Sequence, residues 1–294
     1  MIKKGVYAAG ISIINDDNTL NVVKTIKHAE NIISNGLHGV FFFGSTGQSQ
    51  LISLDEKKEL VSNISSHKLK KNFFLGTGCN SLNDNINLIQ YSIEYGFNTF
   101  LLMPPAYYIK NSDDGVFEFY KNIIVQAPKI KIILYNFEKL SGYLFTPNFI
   151  KILKKEFPKN ITGCKDSSYN LYQNFTLDDF LIFPGSESKL LDGLNQGCAG
   201  CISAVTNVTH SLARKVFDDF EKNNSQSINA KLISVRKIFD NYNLIPALHA
   251  FLSKENSSYE KILPPLISLK KNERQNLFEE LSKINFLPKK GMAA

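Results

Sequence analysis

An alternation of short apolar runs with segments of helical periodicity constrains the fold of this sequence more than any other feature. Eight runs rich in β-branched and aromatic residues have the length and composition of buried strands. They lie at 7–14, 39–44, 72–78, 99–105, 131–136, 161–167, 180–186 and 200–207. The segments between them space their apolar residues three and four apart, as amphipathic helices do, and the clearest are 20–33, 54–64, 82–95, 116–125 and 149–157.

Eight alternations of strand and helix predict an α/β fold, and in a chain of 294 residues they favour one closed parallel (β/α)8 barrel, the TIM barrel. An open doubly wound sheet is the alternative, although no Gly-x-Gly-x-x-Gly motif follows the first run. Helix-capping residues support the helices. Ser53 and Glu56 have capping-box spacing, Thr146 precedes a proline, and Gly36 and Gly96 follow helical segments.

Beyond residue 223 the pattern is helical only, with segments near 226–242, 244–253 and 270–284. We therefore expect a barrel over residues 1–223 and a C-terminal helical extension over 224–294 that packs on it.

The net charge of +7 does not indicate nucleic-acid binding, because the lysines are spread over helical segments with acidic residues among them. Such a positive field helps to collect an anionic metabolite. No apolar run has membrane-spanning length, and the first ten residues lack the pattern of a secretory signal. We expect a cytoplasmic protein without a membrane partner.

Cysteine and histidine spacing gives little support for a metal site. Cys198 and Cys201 form one Cys-x-x-Cys pair, which suits a redox dithiol, half of a zinc site, or small residues packed around a tight turn into a strand. No second pair or neighbouring histidine accompanies it, so we favour the packing role and expect no metal. The five histidines have no ligand spacing; they are residues 28, 38, 67, 210 and 249.

The sixth run ends in a lysine, in the segment NITGCKDSS. In barrels of this kind the catalytic groups lie at the C-terminal ends of the strands. Alternation places Lys165 and Gly163 on one face of the strand and Cys164 on the other. If Lys165 points into the barrel mouth, apolar neighbours disfavour its ammonium form and free an amine that can attack a carbonyl. The alternative is a lysine that pairs with a carboxylate or reaches water from the strand end.

Two other strand ends carry groups that fit such chemistry. Tyr135 ends the fifth run, where its phenol can carry protons near the lysine, although a tyrosine there also serves as a core aromatic. Ser45 and Thr46 lie between glycines after the second run, where hydroxyls and the N–H groups of a glycine turn can hold a carboxylate. Ordinary capping of a strand-to-helix turn is the other interpretation.

Taken together, these residues resemble the dihydrodipicolinate synthase/N-acetylneuraminate lyase family of class I aldolases, from about residue 6 to residue 284. GVFFFGSTGQS is similar to the family's Gly-Ser/Thr-Thr-Gly-Glu turn, and YNFEKLSG to its Tyr-Asn-x-Pro-x-x-x-Gly segment. GCKDSS is similar to its Gly-x-Lys-(Asp/Glu) strand, and GCISAVTN to its eighth strand.

The resemblance implies that Lys165 forms an imine with pyruvate or another 2-oxo acid and that Tyr135 shuttles protons. It implies that Ser45, Thr46 and Gly47 bind the carboxylate, with Ser45 also near the proton relay. A tyrosine after the fourth strand is expected to reach a neighbouring subunit's site; Tyr107 and Tyr108 both fit, and we favour Tyr108. The family also implies a homotetramer built from dimers, and no metal or diffusible cofactor, since the protonated imine is itself the electron sink.

Departures from the family pattern bear on the substrate, for which Leu140, Glu187 and Ser203 are candidate contacts. Leu140 stands where dihydrodipicolinate synthases usually have an arginine, whereas the sequence LSG is similar to N-acetylneuraminate lyases. The sequence GSES at 185–188 replaces the lyases' Gly-Tyr-Asp-Glu, and Ala204 replaces a serine of their eighth strand. Glu138 stands where the family usually has a proline, and Gln48 stands where it usually has a glutamate.

The resemblance therefore implies a pyruvate-dependent class I aldolase, a carbon–carbon lyase that cleaves or condenses a 2-keto-3-deoxy sugar acid to or from pyruvate and an aldehyde. N-acetylneuraminate lyase and dihydrodipicolinate synthase are the alternatives within the family. A non-catalytic barrel that binds 2-oxo acids is the alternative from another class.

Overall fold

The computed structural model describes residues 2–288 and 291–293, and the described residues form a nearly closed barrel of parallel strands. Strands β1 to β7 each pair with the next in sequence, and β8 pairs with β1, so that β7 and β8 are the two ends of the sheet. Between β7 and the residue before β8, Ala199 N donates to Ile182 O at 2.8 Å. The predicted (β/α)8 barrel is confirmed, and the doubly wound alternative is wrong. The strands are β1 (Gly5–Ala9), β2 (Gly39–Phe42), β3 (Phe73–Gly76), β4 (Thr99–Leu102), β5 (Lys131–Asn136), β6 (Ile161–Asp166), β7 (Leu181–Pro184) and β8 (Gly200–Ser203).

Helices follow the strands on the outside of the barrel and continue into the C-terminal extension. Ser53 Oγ accepts a hydrogen bond from Glu56 N while Glu56 accepts one from Ser53 N, so the predicted capping box is confirmed. Gly96 has a φ of +80° directly after α3 and its cap, as expected of a helix-ending glycine. The helices are α1 (Val22–Ser34), α2 (Leu54–Ile64), α3 (Leu82–Glu94), α4 (Asp113–Gln126), α5 (Glu138–Ser141), α6 (Pro147–Glu156), α7 (Leu190–Asn195), α8 (Thr206–Glu221), α9 (Asn229–Asp240), α10 (Leu244–Ser253) and α11 (Lys271–Lys283).

Strand alternation divides the core into a layer inside the barrel and a layer between the strands and the helices. Aromatic and aliphatic side chains fill the inside, among them Phe41, Phe74 and Phe183. Cys164 is fully buried in the outer layer, as predicted from its position beside Lys165.

The first and last predicted strands are too long. The first was expected over 7–14, but β1 ends at Ala9, and Ile11 and Ile13 pack against the C-terminal helices in a separate apolar cluster. Their apolar character reflects this tertiary packing and not strand pairing. The eighth was expected over 200–207, but β8 ends at Ser203, and α8 begins at Thr206.

The C-terminal extension contributes α9, α10 and α11, close to the three helical segments predicted. Val235, Phe251 and Leu277 of these helices are buried in the same cluster as Ile11 and Ile13. The extension is therefore packed directly on the segment that follows β1. Met1, residues 289–290 and Ala294, which belong to the predicted ranges 1–223 and 224–294, lie outside the described residues.

Across residues 2–288 and 291–293, no helix is both long enough and apolar enough to cross a membrane.

Candidate active site

Lys165 lies on the inner face of β6, near the C-terminal end of the strand. It is in register with Tyr135 on β5 and Phe183 on β7, and it is only 3% exposed. Its Nζ atom lies 4.1 Å from the centroid of the Tyr135 ring. Within the described chain, Lys165 forms no salt bridge with a carboxylate. The structure therefore does not contain the carboxylate pairing that was one alternative for this lysine. The side chain lines a cavity of about 460 Å³, which is a size typical of small-molecule sites.

Tyr135 and Ser45 form a hydrogen-bonded pair on the wall of this cavity, which we call the lysine cavity. Ser45 Oγ and Tyr135 Oη are 3.0 Å apart, and either hydroxyl can be the donor. The ring of Tyr135 lies under Lys165 Nζ, so the amine and the two hydroxyls lie on the same part of the cavity wall. The two hydroxyls have the geometry of a proton relay.

Ser45, Thr46 and Gly47 form one 3-10 turn directly after β2, and Ser45 and Thr46 line the lysine cavity. The segment that follows β1 stabilises this turn, because Ser12 Oγ donates to Gly47 O at 2.8 Å. A Cβ atom at Gly47 would lie 2.8 Å from Gly10 O, so only glycine fits this approach of two backbones. The segment beyond β1 thus fixes the hydroxyls at the mouth of the barrel.

Asp166 fixes the loop that follows Lys165. Its carboxylate accepts hydrogen bonds from Asn136 Nδ2 and from the backbone N–H groups of Tyr169, Leu171 and Tyr172, at 2.9 to 3.0 Å. Burial raises the pKa of Asp166, and these hydrogen bonds act in the opposite direction. The loop that they order places three more side chains on the lysine cavity, those of Ser167, Ser168 and Tyr169.

Glu187 and Ser203 do not line the lysine cavity themselves. Both are fully buried, and both contact Arg236 Nη1 at 3.2 Å through Glu187 Oε2 and Ser203 Oγ. Ser203 Oγ also donates to Glu187 Oε2. The guanidinium of Arg236 is the group of this cluster that lines the cavity. The two predicted substrate contacts therefore lie behind an arginine that the sequence-based prediction did not include.

Arg236 comes from α9 of the C-terminal extension. Its Nε donates to Asp240 Oδ1 at 2.8 Å, one helical turn further on. Burial opposes the charge, but the carboxylates of Glu187 and Asp240 outweigh it and raise the pKa of Arg236. One sequence signal points to this residue: Arg236 falls on the buried face of α9 with Leu232, Val235 and Phe239.

A second cavity of about 290 Å³ lies on the other side of Ser45 and Tyr135, which line both. Its wall is mostly apolar and includes Leu140 from α5. Leu140 lines this second cavity and is not among the residues that line the lysine cavity. The other apolar wall residues are Phe43, Leu51, Leu101, Met103, Ala106, Ile245, Pro265 and Leu266.

Two of the departures from the family pattern have a visible structural role. Gln48 is buried, and its Oε1 accepts a hydrogen bond from Leu263 N at 2.7 Å, which ties the turn after β2 to the C-terminal extension. Glu138 begins α5 and lines the lysine cavity, and its N–H donates to Ser168 Oγ at 2.9 Å.

Tyr107 and Tyr108 lie in the loop between β4 and α4 and are 84% and 74% exposed. Their rings contact each other edge to face, with centroids 5.2 Å apart, and neither lines the lysine cavity. A single chain therefore does not bring Tyr108 to its own Lys165, and its proposed role depends on a second subunit.

The Cys-x-x-Cys pair is buried. Cys198 Sγ donates to Tyr172 O at 3.3 Å, and Cys201 lies on β8 facing the helices. Burial raises the pKa of Cys198 to about 12 and that of Cys201 as well, which disfavours the thiolate that redox or metal chemistry requires. These observations favour the packing role.

A parallel (β/α)8 barrel whose buried lysine faces a cavity at the C-terminal ends of the strands has the architecture of a barrel enzyme with an amine in its candidate active site. The model of the Dihydrodipicolinate synthetase family matches residues 3–284. The chain belongs to this family, as its resemblance predicted, and it is an enzyme of the lyase class.

Individual relatives agree with this assignment. The chain is 32% identical over 246 residues to a protein of Chloroflexus aurantiacus named uncharacterized DapA-like lyase, and the match covers 81% of this chain and 82% of that protein. It is 27% identical to a 2-dehydro-3-deoxy-D-gluconate/2-dehydro-3-deoxy-phosphogluconate aldolase of Picrophilus torridus, over 85% of this chain and 93% of the relative. The crystal structure of dihydrodipicolinate synthase from Agrobacterium tumefaciens shares the fold, with a TM-score of 0.87, 24% identity, and coverage of 96% and 100% of the two chains.

Proposed function

We propose that this lyase is a pyruvate-dependent class I aldolase in which Lys165 forms the Schiff base. The observation that carries the proposal is the position of Lys165: a buried amine without a carboxylate partner in the described chain, above the Tyr135 ring and open to the lysine cavity. An amine held in this way suits attack on a carbonyl carbon better than a structural role.

In the proposed reaction, the neutral amine of Lys165 attacks the C2 carbonyl of pyruvate, and protonation of the carbinolamine hydroxyl followed by loss of water gives a protonated imine. Removal of a proton from C3 gives an enamine, which attacks the aldehyde carbon and forms the new C–C bond and the protonated imine of the product, while the aldehyde oxygen takes up a proton and becomes a hydroxyl. Addition of water to the product imine then releases the 2-oxo acid and the free lysine. Cleavage follows the same steps in reverse. No metal or diffusible cofactor takes part.

Tyr135 and Ser45 support these steps as proton carriers. The 3.0 Å contact between their hydroxyls lets a proton pass between the phenol next to the imine and the serine at the turn. The hydroxyl of Thr46, with the N–H groups of Ser45 and Thr46 at the start of the turn, provides hydrogen-bond donors for the pyruvate carboxylate, while the N–H of Gly47 donates to Gly44 O within the turn.

We further propose a 2-keto-3-deoxy sugar acid as the compound that is cleaved or formed. The Picrophilus torridus relative is named for such substrates. In addition, Leu140 offers no positive charge to the carboxylate of an aldehyde such as aspartate semialdehyde. We also propose that the protein acts in the cytoplasm as a homotetramer built from two dimers, with Tyr108 reaching a neighbouring subunit.

Borohydride reduction in the presence of pyruvate, followed by mass spectrometry of proteolytic peptides, tests the chemistry. The expected result is one reduced adduct on the peptide that contains Lys165. Binding of pyruvate without an adduct would indicate the non-catalytic barrel instead. Pyruvate release from a panel of 2-keto-3-deoxy sugar acids and N-acetylneuraminate then tests the substrate class, and aspartate semialdehyde in the condensation direction tests dihydrodipicolinate synthase activity.

A further inference from the structure

The guanidinium of Arg236 is held rigidly in the wall of the lysine cavity with part of its donor capacity unused. A guanidinium has five N–H donors. Nε is bonded to Asp240, and Nη1 contacts both Glu187 and Ser203. In residues 2–288 and 291–293, Nη2 has no hydrogen-bond acceptor. Arg236 lines the cavity, so two N–H groups remain for a bound molecule.

The charges around Arg236 determine which kind of group suits these donors. Glu187 is fully buried behind the guanidinium, at 3.2 Å, and Asp240 lies beside it at 2.8 Å and also lines the cavity. Of the other charged residues that line the cavity, Glu138 and Lys139 have opposite charges, and Lys165 is taken up by the proposed imine. At Arg236 itself two carboxylates offset one positive charge, and an anionic group would approach Asp240 as well as Arg236. A hydroxyl group can satisfy both residues, because it accepts from an N–H donor and donates to a carboxylate.

We propose that Arg236 and Asp240 form the subsite for the tail of the aldehyde, and that they select an uncharged hydroxylated tail over one that carries a phosphate. Glu187 and Ser203 act as positioning residues that hold the guanidinium in place. The C-terminal extension thereby determines specificity in a site whose reactive groups all come from the barrel. This inference rests on the proposed aldolase function.

The test compares three aldehydes in the condensation direction with saturating pyruvate: acetaldehyde, which has no tail hydroxyl, glyceraldehyde, and glyceraldehyde 3-phosphate. Removing Arg236 alone would leave Glu187 buried without its partner, so the first variant is the double substitution Arg236→Gln with Glu187→Gln. The second is Asp240→Asn, at a half-exposed residue whose change leaves the fold intact. The third is Ser203→Ala.

Matched controls come from α8, where Arg214 Nε donates to Asp218 Oδ1 at 2.7 Å with the same spacing of four residues. Arg214→Gln and Asp218→Asn change an equivalent pair outside the lysine cavity. Neither control should alter the relative kcat/KM values of the three aldehydes.

We expect the wild-type enzyme to prefer glyceraldehyde over glyceraldehyde 3-phosphate. The double variant should lose about 10- to 100-fold in kcat/KM for glyceraldehyde, as expected for charge-assisted hydrogen bonds, but little for acetaldehyde. Asp240→Asn should raise the use of glyceraldehyde 3-phosphate relative to glyceraldehyde several-fold, because one repelling carboxylate is gone. Ser203→Ala should lower the ratio of glyceraldehyde to acetaldehyde in the same direction as the double variant.

A wild-type preference for the phosphorylated aldehyde would overturn the selection of an uncharged tail. Equal losses for all three aldehydes in the double variant, or an unchanged ratio in Asp240→Asn, would overturn the subsite. Borohydride trapping of pyruvate separates these results from failure of the proposed function: a wild-type protein that traps no pyruvate refutes the aldolase, whereas normal trapping with unchanged aldehyde ratios refutes only the role of Arg236 and Asp240.

Discussion

The two cavities at the mouth of the barrel each lie next to a buried lysine, and the two lysines differ in their contacts. Lys165 is 3% exposed, faces the lysine cavity and lies over the ring of Tyr135. Lys57 on α2 is 2% exposed, but its Nζ donates to Gly78 O at 3.1 Å and to Cys79 Sγ at 3.5 Å. Gly78 and Cys79 line the second cavity, so Lys57 lies behind its wall.

This difference shows that burial alone does not identify a catalytic lysine. Hydrogen bonds to a carbonyl and a sulfur satisfy Lys57 within the protein and keep its amine away from the cavity. Lys165 has an aromatic face beneath it and open space beside it, so its amine can meet a carbonyl. Access to a cavity and free bonding capacity distinguish Lys165, the proposed Schiff-base lysine, from Lys57.

The largest expected effect comes from replacing Lys165 with a residue that cannot form an imine, and Lys57 provides the control. Lys165→Ala should abolish both turnover and borohydride trapping of pyruvate, because the nucleophile is gone. Lys165→Arg should fail as well, since a guanidinium stays protonated. Lys57→Met, which replaces an equally buried lysine with an apolar side chain of similar length, should still trap pyruvate. Pyruvate trapped on any lysine of the Lys165→Ala protein would contradict the assignment.

The next largest effect is expected at Tyr135, which lines both cavities. Tyr135→Phe keeps the ring beneath Lys165 but removes the hydroxyl that contacts Ser45, so kcat should fall by about 10²- to 10⁴-fold, the range typical of positioned proton transfer. Tyr143→Phe is a suitable control, since Tyr143 is a buried tyrosine that donates to Asp113 Oδ1 at 2.6 Å outside both cavities. The measurement is the steady-state kcat of the two variants. Wild-type turnover in Tyr135→Phe as well as in Tyr143→Phe would show that the Tyr135 hydroxyl has no part in the mechanism.

A charge introduced into the second cavity should have a smaller effect. The proposed subsite at Arg236 and Asp240 suits the uncharged tail of glyceraldehyde, whereas a carboxylate that turns instead towards Leu140 in the second cavity forgoes a charge-assisted hydrogen bond. The wild type should therefore favour glyceraldehyde over aspartate semialdehyde by about 10- to 100-fold in kcat/KM. Leu140→Arg should narrow this gap by supplying a planar donor group. Ile152→Arg, at an exposed apolar residue on α6, is the control. A wild-type preference for aspartate semialdehyde would instead support dihydrodipicolinate synthase activity.

The smallest effect concerns stability. Burial lowers the pKa of Lys57 below its ordinary value of 10.5, and the nearby Cys79 only partly opposes this. Between the lowered pKa and 10.5 the folded protein binds fewer protons than the unfolded chain, so the free energy of unfolding gains a contribution that rises with pH. The slope is at most about 1.4 kcal/mol per pH unit. Denaturant titrations at several alkaline pH values should show that the free energy of unfolding rises with pH more in the wild type than in Lys57→Met. The same pH dependence in both proteins would contradict a lowered pKa of Lys57.

The sequence was sufficient to predict the barrel and the centre of the site. Period-two and period-3.6 patterns are local, so the order of strands and helices, the capping box at Ser53 and the inward direction of Lys165 follow from a few neighbouring residues. Tyr135 and Ser45 were placed at neighbouring strand ends for the same reason, and their hydroxyls do meet at 3.0 Å.

Only the tertiary structure decided where distant segments meet. From the sequence pattern alone, Ile11 and Ile13 were predicted to be strand residues. In the structure they are buried against the C-terminal helices. Arg236 enters the lysine cavity because α9 packs beside the turn that contains Glu187, a residue 49 positions earlier in the chain. The sequence by itself determined the order of the elements and the inward position of Lys165 at a strand end, because their signals are short-range. The guanidinium that completes the cavity wall depends on how two well-separated segments pack, and no local pattern encodes that contact.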